Sequence, residues 1–375
     1  MTKFKTSMLA AAVAVAAFSA QASEISLYGS VSTGLLYKNT ASLTNSDGSK
    51  TERVNSLSME SGFWGDSIWG ITGEEDLGNG WKVGFTLENE FSSDTGALAS
   101  EGTLFDSQAY LSIGNDTVKF AFGNFGGLAS AGGDFDLLVG FDPMEAYVDV
   151  AGLGAFASKD FASGNMAVME VTPMEGLKVS LMGNAGDEDS NARWSDRNHY
   201  YGLGLSYENG PLAMTAIAEM RTYDGTAIDD AWTFTVAAAY DFEVVRPSFV
   251  YQHASKTREF GGGPLEGLED LESYNFDSFM LGAAAPLGQG TLRASVQYVK
   301  GENDADSTEE GSATILGLAY TYEMSKRTML YAGAYYSIGG DGLDKDLSAG
   351  ETEFRAMGRG DYNSMGFGLG LAHTF

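Results

Sequence analysis

The chain ends with Met365-Gly-Phe-Gly-Leu-Gly-Leu-Ala-His-Thr-Phe375, the stretch that decides its fold class. A large side chain stands at every second position, and glycine, alanine or threonine stands between. Successive side chains of a β-strand point to opposite faces, so this period of two predicts a strand with one large apolar face. A final strand of this kind, closed by an aromatic residue, is typical of a strand that meets lipid on its outer side.

The N-terminus has the three parts of a secretory signal peptide. Lys3 and Lys5 precede an apolar stretch at 8–18, and Ala20-Gln21-Ala22 forms an A-x-A cleavage site. We therefore predict a cleaved signal over 1–22 and a single domain over 23–375. The alternative, an N-terminal anchor helix, needs about 20 apolar residues to cross a bilayer, and this stretch is shorter. An exported chain without a further apolar helix can span a membrane only as a closed barrel.

Composition excludes several classes of protein. The chain has 51 acidic and 22 basic residues, so its net charge is −29, and removal of Lys3 and Lys5 would make it −31. Such acidity argues against nucleic acid as a partner, because phosphates require clusters of Lys and Arg. The absence of cysteine excludes disulfides and thiol chemistry. The many carboxylates are suited to bridging by divalent cations to a lipid A surface or, alternatively, to a salty habitat, and we expect lipopolysaccharide and outer-membrane lipid as neighbours.

The remainder divides into runs of alternating character separated by gaps of two kinds. Short gaps such as Asn209-Gly210 alternate with long ones such as 123–163, which is typical of membrane barrels and not of soluble sandwiches. We predict an all-β fold, a 16-stranded antiparallel transmembrane β-barrel with short periplasmic turns and long outer loops. Its strands are 25–37, 61–74, 81–91, 106–113, 117–122, 164–172, 177–184, 199–208, 211–221, 231–241, 244–256, 275–286, 290–300, 313–324, 327–338 and 363–375.

Odd and even positions of the predicted strands (their parity) separate an apolar face from a polar face. In 290–300, Leu292, Val296 and Tyr298 share one face, whereas Arg293 and Gln297 share the other. The stretch 81–91 alternates in the same way. Sixteen strands enclose an aqueous channel, whereas about eight would be filled by side chains. We therefore predict a water-filled lumen.

Several stretches resemble the general bacterial porins of the Gram-negative outer membrane. The most specific is SIWGITGEEDLGNGWKVGFTLENEF at 67–91, which is similar to the second hairpin of that family. LYGSVSTGLLY at 27–37, FDSQAYLSIG at 105–114 and VKFAFGNFGG at 118–127 also match, as does the terminal Phe375, a barrel-assembly signal shared by many outer-membrane barrels. The matches cover the first third and the end of the chain.

The resemblance implies a homotrimer of water-filled channels that pass small hydrophilic solutes and ions. It also implies that the third long loop, 123–163 here, folds into the barrel and narrows it. Five acidic residues follow the Gly-rich start of this loop, and we expect them at the constriction; the alternative is an ordinary solvated outer loop. They are Asp134, Asp136, Asp142, Glu145 and Asp149.

The wall opposite that loop departs from the family pattern. The family's common basic wall residues would align with Ile68, Thr72, Ser107 and Asn124, and none of these is basic. A constriction with loop acids and a neutral wall concentrates cations, so we predict a cation-preferring channel. The candidate residues of the lumen wall are Lys38, Thr72, Glu88, Glu90, Ser107, Lys119, Asn124, Arg221 and Arg293. Each basic candidate could instead pair with loop acids at the rim.

Other chemistry finds little support in the sequence. Only His199, His253 and His373 exist, too scattered for a metal site, and we expect no metal, no cofactor and no enzymatic activity. A hydrolase on a barrel would need a base such as His253 close to a nucleophile. The alternative function is a solute-specific channel, for a sugar or another small nutrient, with its binding site at the loop constriction.

Overall fold

We describe the protein from a computed structural model. It describes residues 24–40, 54–148, 151–157, 162–186, 198–223, 229–260, 263–264, 273–305, 310–339 and 363–375. The predicted signal peptide lies outside these residues. Within them, no helix is long and apolar enough to cross a membrane.

In the described part of the chain, the structure is a closed antiparallel barrel made of nineteen strands and one short 3-10 helix, Val139–Phe141. Seventeen of the strands form one sheet, and β2 and β3 share a single strand position because both pair with β1. The barrel therefore has sixteen strand positions, which we call staves. This confirms the predicted count. The strands are β1 Glu24–Thr40, β2 Val54–Ser61, β3 Ile68–Gly78, β4 Trp81–Glu90, β5 Gln108–Gly114, β6 Val118–Gly126, β7 Ala162–Met174, β8 Leu177–Asn184, β9 His199–Asn209, β10 Leu212–Thr222, β11 Ala231–Tyr240, β12 Arg246–Thr257, β13 Glu259–Phe260, β14 Gly263–Pro264, β15 Tyr274–Leu287, β16 Gly290–Asn303, β17 Glu310–Ser325, β18 Thr328–Gly339 and β19 Asn363–Thr374.

The first and last strands close the barrel. β1 pairs with β19 from Ser30 opposite Thr374 to Thr40 opposite Ser364. Beyond this ladder, the Phe375 N–H donates to the Gly29 carbonyl at 3.0 Å, and the Gly29 N–H donates to the Phe375 carbonyl at 3.2 Å. These bonds leave no unpaired strand edge between β1 and β19, which a sheet surrounded by lipid requires.

One predicted strand is wrong. The alternation predicts a continuous strand over 61–74, but the sheet is interrupted at 62–67, and the missing length is supplied by β2 within the predicted loop 38–60. Two glycines at the interruption, Gly62 and Gly65, have φ of 77° and 82°, a left-handed conformation that a strand does not contain. The short pair β13 and β14 also lies within a predicted loop, 257–274.

The connections alternate as predicted. Those at one end of the barrel are short, such as 79–80, 175–176 and 288–289, and those at the other end are long. We call these ends the turn end and the loop end. The turns contain residues that tolerate positive φ, including Asn79 at 55° and Gly210 at 58°.

Side-chain exposure confirms the two faces of the strands. In β16, Leu292, Val296 and Tyr298 are 39%, 49% and 42% exposed, whereas the intervening Ser295 and Gln297 are buried. The outer face is therefore apolar and the inner face polar, as the alternation predicted.

The glycines of the last strand line the inner face and leave room for aromatic rings. A Cβ added to Gly366, Gly368 or Gly370 would lie 2.2, 2.5 or 2.3 Å from an atom of Tyr335, Phe63 or Tyr331, respectively. The residue after each glycine, Phe367, Leu369 or Leu371, is exposed on the outer face. The alternation in β19 thus has two causes: its glycines make room for aromatic rings inside the barrel, and its large apolar residues cover the outer face.

Candidate functional site

The described residues of the connection between β6 and β7, 127–148 and 151–157, lie inside the barrel, and we call them the third loop. Side chains of three strands bind its backbone. The Leu128 N–H donates to the Tyr200 hydroxyl oxygen at 3.0 Å, Arg246 Nη1 donates to the Gly140 carbonyl at 2.8 Å, and Gln297 Nε2 donates to the Ala151 carbonyl at 2.6 Å. Since these strands are β9, β12 and β16, the loop is attached to the wall opposite β3–β5.

Apolar side chains of the third loop pack against that wall. Leu128, Leu138, Met144, Leu153 and Phe156 are fully buried. Wall glycines make room for them: a Cβ at Gly204 would lie 2.4 Å from Leu137, one at Gly282 would lie 2.6 Å from Pro143, and one at Gly317 would lie 3.0 Å from Met144. The loop therefore seals this side of the lumen with close-packed apolar contacts and leaves the open space on the other side.

Two of the predicted constriction acids hold the loop's own backbone. Asp142, which is buried, accepts hydrogen bonds from the N–H groups of Met144 at 2.8 Å and Ala146 at 2.9 Å. Asp136 accepts from the N–H groups of Ala131, Leu138 and Val139 at 2.9, 3.0 and 2.7 Å. Burial raises the pKa of the Asp136 carboxyl to about 7, although these three donors favour its charged form.

A third acid, Glu145, pairs with the wall. Its Oε1 lies 2.7 Å from Nη1 of Arg293, which also donates to the Pro143 carbonyl at 3.0 Å. The guanidinium carbon of Arg293 lies 5.1 Å from the centre of the Trp64 ring. We call residues 143–148 of the third loop the loop tip. Because Arg293 pairs with Glu145 under this tip and is only 16% exposed, it contributes little positive potential to the open space.

The open space is a cavity of about 810 Å³ between the third loop and the wall formed by β3, β4 and β5. Asp134, Ala146 and Tyr147 line it from the loop, and Glu88 and Ser107 are among the residues that line it from the wall. Its described lining contains five carboxylates and no lysine or arginine. The five are Asp66, Glu88, Glu90, Asp106 and Asp134.

Hydrogen bonds hold two of these carboxylates in place. Glu88 accepts from the hydroxyl of Tyr28 at 2.8 Å and from the hydroxyl of Ser107. Asp134 accepts from the hydroxyl of Tyr110, and its N–H donates to Gln108 Oε1 at 3.1 Å. Because Gln108 Nε2 also donates to Glu88 at 3.4 Å, one amide connects the wall acid to the loop acid.

The described lining of this cavity, with five carboxylates and no lysine or arginine, carries a negative charge. Carboxylates on both sides of a confined aqueous path attract cations and repel anions, and the low dielectric of the surrounding protein strengthens the field.

The other predicted wall residues lie at several levels. Thr72 faces inward and donates to the Phe85 carbonyl at 3.0 Å. Lys38 lies opposite Gly366 on the inward register of β1 near the loop end, and Lys119 Nζ lies 4.9 Å from the centre of the Phe135 ring. Arg221 lines a small separate cavity with Ala157 of the third loop. None of these three cations lines the acidic cavity.

The structure contradicts the placement of Asn124 in the lumen wall. Asn124 pairs with Ala109, whose neighbours Gln108 and Tyr110 face inward, so Asn124 lies on the outward register. The physical reason is the regular alternation of β6, in which Asn124 shares the parity of the exposed Phe122, whereas Ala121 and Phe125 are buried.

The sequence does not predict two of the acids that line the cavity, Asp66 and Asp106. A third acid, which it does predict, has no described position. Asp149 lies outside the described residues. Asp106 follows Phe105 in the quoted FDSQAY segment, and its Oδ1 accepts from the Glu90 N–H at 3.0 Å. Asp66 lies in the interruption of the second stave, where the sequence predicts a regular strand.

The described residues show no group of three or more His, Cys, Asp or Glu that could hold a metal. His253 lies on the outer face, where its Nδ1 is 2.9 Å from Asp277 Oδ1.

Comparison with known proteins identifies the family. The sequence profile described as "Gram-negative porin" matches residues 8–342. The chain belongs to the Gram-negative porin family. This porin is 27% identical to an outer membrane porin protein of Bordetella pertussis, and the alignment covers 99% of this chain and 100% of that protein. It is 28% identical to the outer membrane porin protein 32 of Delftia acidovorans, with the same coverage of both chains.

Solved structures agree with the fold. The anion-selective porin from Comamonas acidovorans has a TM-score of 0.70 at 23% identity, covering 94% of this porin and 100% of that chain. A trimer form of OmpT from Vibrio cholerae has a TM-score of 0.62 at 12% identity, covering 95% and 100%. The chain is thus an outer-membrane channel of a Gram-negative bacterium, and its relatives are porins rather than enzymes.

Proposed function

We propose that this porin is a passive diffusion channel for small hydrophilic solutes and ions that prefers cations over anions. The observation that supports the preference is the charge of the 810 Å³ cavity, whose described lining has five carboxylates and no basic residue. The one arginine near the loop tip in the described residues, Arg293, is paired with Glu145. The anion selectivity named for the Comamonas acidovorans porin belongs to that protein, and the likeness at 23% identity concerns the fold.

Reversal potentials across planar bilayers test the proposal. In a tenfold potassium chloride gradient, we expect the wild-type channel to pass potassium in preference to chloride. Neutralising one loop acid and one wall acid in the double variant Asp134→Asn/Glu90→Gln should lower the potassium-to-chloride permeability ratio about fourfold. A charge about 10 Å from the ion path changes the energy of each ion by about 0.4 kcal/mol at the dielectric of water, and screening by salt about halves this value. Because the sign is opposite for potassium and chloride, their energies then differ by about 0.4 kcal/mol, which is about twofold in the ratio for each charge.

The matched control is Asp94→Asn, which removes an equal charge from an exposed residue that does not line the cavity. It should leave the ratio unchanged. A wild-type channel that prefers chloride would refute the proposed selectivity. Liposome swelling with sugars of graded size separates a general pore from a solute-specific one, since a general pore gives a smooth decline with size and a specific site saturates.

We also propose that the outer face contacts lipopolysaccharide and outer-membrane lipid at the loop end. Tyr251, Phe279 and Tyr298 are cross-strand neighbours in one row on this face. The next row toward the loop end consists of His253, Asp277 and Lys300. A change from aromatic to charged residues over one step of the strands fits the boundary between hydrocarbon and head groups.

A further inference from the structure

The second stave of the barrel leaves the sheet for six residues. β2 ends at Ser61 and β3 begins at Ile68, and both pair with β1, at Thr33–Thr40 and Glu24–Ser30, respectively. The wall therefore stays closed while 62–67, with the sequence GFWGDS, departs from it. We call these residues the inward turn.

Hydrogen bonds fix the inward turn to β1. The Ser32 hydroxyl donates to the Trp64 carbonyl at 2.6 Å. The Ser67 hydroxyl donates to the Ser32 carbonyl at 3.0 Å, and the Ser32 N–H donates to Ser67 Oγ at 3.0 Å. Ser32 is fully buried, so these bonds are shielded from water. The turn is thus a defined structural element and not a frayed strand end.

The two aromatic residues of the inward turn reach the third loop. The Val148 N–H donates to the Phe63 carbonyl at 3.1 Å. Trp64, which is 1% exposed, has its ring centre 6.2 Å from that of Tyr147 and lies against the guanidinium of Arg293. The loop tip is therefore held between Trp64 on one side and β16 on the other.

The Phe63 ring fills space made by wall glycines. It lies 6.1 Å from the Tyr331 ring, centre to centre, and at the inner faces of Gly333 and Gly368. A Cβ at Gly333 would lie 3.2 Å from Phe63 and 3.0 Å from Val148, so the turn and the loop tip meet over the same glycine. The inward turn and the third loop therefore pack together against β18 and β19.

The rest of the inward turn faces the cavity. Gly62, Gly65 and Asp66 line it, and Asp66 contributes one of its five carboxylates. A backbone hydrogen bond also links Asp66 to Tyr147 of the third loop.

We propose that the inward turn is a second constriction element, in which Asp66 determines ion selectivity and Trp64 is a positioning residue for the third-loop tip. The sign of the selectivity effect rests on the proposed cation preference, whereas the position of Asp66 in the ion path does not.

Replacing Asp66 tests its role. Asp66→Asn should lower the potassium-to-chloride permeability ratio about twofold, the effect expected for one charge close to the path. Asp94→Asn is the control and should leave the ratio unchanged. If Asp66→Asn has no effect while Asp134→Asn/Glu90→Gln lowers the ratio, the turn is not part of the filter and this proposal fails alone. If neither variant changes the ratio, the proposed function fails as well.

Chemical modification gives a second readout in the assembled channel. The chain has no cysteine, so Asp66→Cys introduces one unique thiol. A sulfonate-bearing thiol reagent added to the open channel should restore the wild-type ratio, and an ammonium-bearing reagent should lower it below that of the unmodified variant. Absence of any reaction in a conducting channel would show that residue 66 lies outside the ion path and would overturn the proposal.

The proposed positioning role of Trp64 is tested by a measurement that depends on the position of the loop tip. Trp64→Ala should increase single-channel conductance and open-channel noise, because Tyr147 and Arg293 lose the ring they pack against. Trp64→Phe keeps an aromatic face and should restore most of the quiet conductance. Equal noise in Trp64→Ala and wild type would show that the third loop keeps its position without the turn.

Discussion

At the scale of single residues, the acids of the third loop perform different tasks although they are chemically alike. Asp136 and Asp142 bind backbone N–H groups, Glu145 neutralises Arg293, and Asp134 lines the cavity beside Glu88. The sequence predicted acids in this loop but could not assign these tasks. They depend on loop conformation, including Glu145 at φ 54° and Val148 at φ 67°, which no periodic pattern encodes.

The same limit applies to the wall. Parity places Glu88 on the inner face correctly, because β4 is regular. It cannot place Asp66, because parity has no meaning in a segment that leaves the sheet.

The raised pKa of Asp136 leads to a pH prediction. Its folded pKa of about 7 exceeds the ordinary 3.8, so the folded state retains a proton that the unfolded state releases. Its contribution to stability is therefore fully present below about pH 4 and is lost as pH rises to about 7. Ionisation also adds a negative charge to the third loop, so the potassium-to-chloride ratio should rise up to about twofold between about pH 5.5 and 8.

The pH series is measured as reversal potentials. Asp136→Asn should flatten this part of the profile, while Asp94→Asn should keep it. A profile in Asp136→Asn that still titrates near pH 7 would assign the transition to another group.

At the scale of secondary structure, the sequence predicted fifteen of the sixteen staves in place, because ten-residue alternation and turn residues such as Asn209-Gly210 act together. The second stave failed for a physical reason. Its true beginning, Val54–Ser61, has only Leu57 and Met59 as large apolar residues on its outer face, among serine and asparagine. With only two large apolar residues, the sequence of this strand looks like that of a polar loop.

The fit between the last strand and the inward turn yields a prediction for these elements. In Gly368→Leu, the new Cβ would lie 2.5 Å from the Phe63 ring, so the ring or β19 must shift. Overpacking of this kind costs about 1–3 kcal/mol. We expect a lower temperature for loss of the folded band on detergent gels, together with noisier channels.

Gly140→Ala is the control for this substitution. An added Cβ there meets no atom within 4 Å, so gel behaviour and conductance should match wild type. Unchanged folding and noise in Gly368→Leu would mean that Phe63 can leave its site without consequence.

At the scale of the whole molecule, we predict a homotrimer, as the resemblance to the general bacterial porins implies. Strand-face parity alone identifies no subunit interface. Without boiling, the purified protein should migrate on mild detergent gels at about three times the mass of one processed chain, which is 39.8 kDa less the predicted signal peptide, and boiling should convert it to the monomer. A single monomeric species under both conditions would contradict this assembly.

The same preparation tests the lipid contacts. Native mass spectrometry should detect retained phosphorylated glycolipid, and Lys300→Ala should reduce the retained amount. Lys178→Ala is the matched control, because Lys178 pairs with Glu170 and lines a cavity with Asp136 of the third loop. Equal retention in both variants would argue against a role for the charged outer row.

The seam between β1 and β19 has a consequence for biogenesis. Gly29 and Phe375 stand 346 positions apart, yet each donates its amide hydrogen to the other. A chain that lacked the last hairpin would have two unpaired strand edges, whose N–H and C=O groups could not form hydrogen bonds in hydrocarbon. We therefore expect membrane insertion to require β19, and a chain truncated before it to stay out of the bilayer.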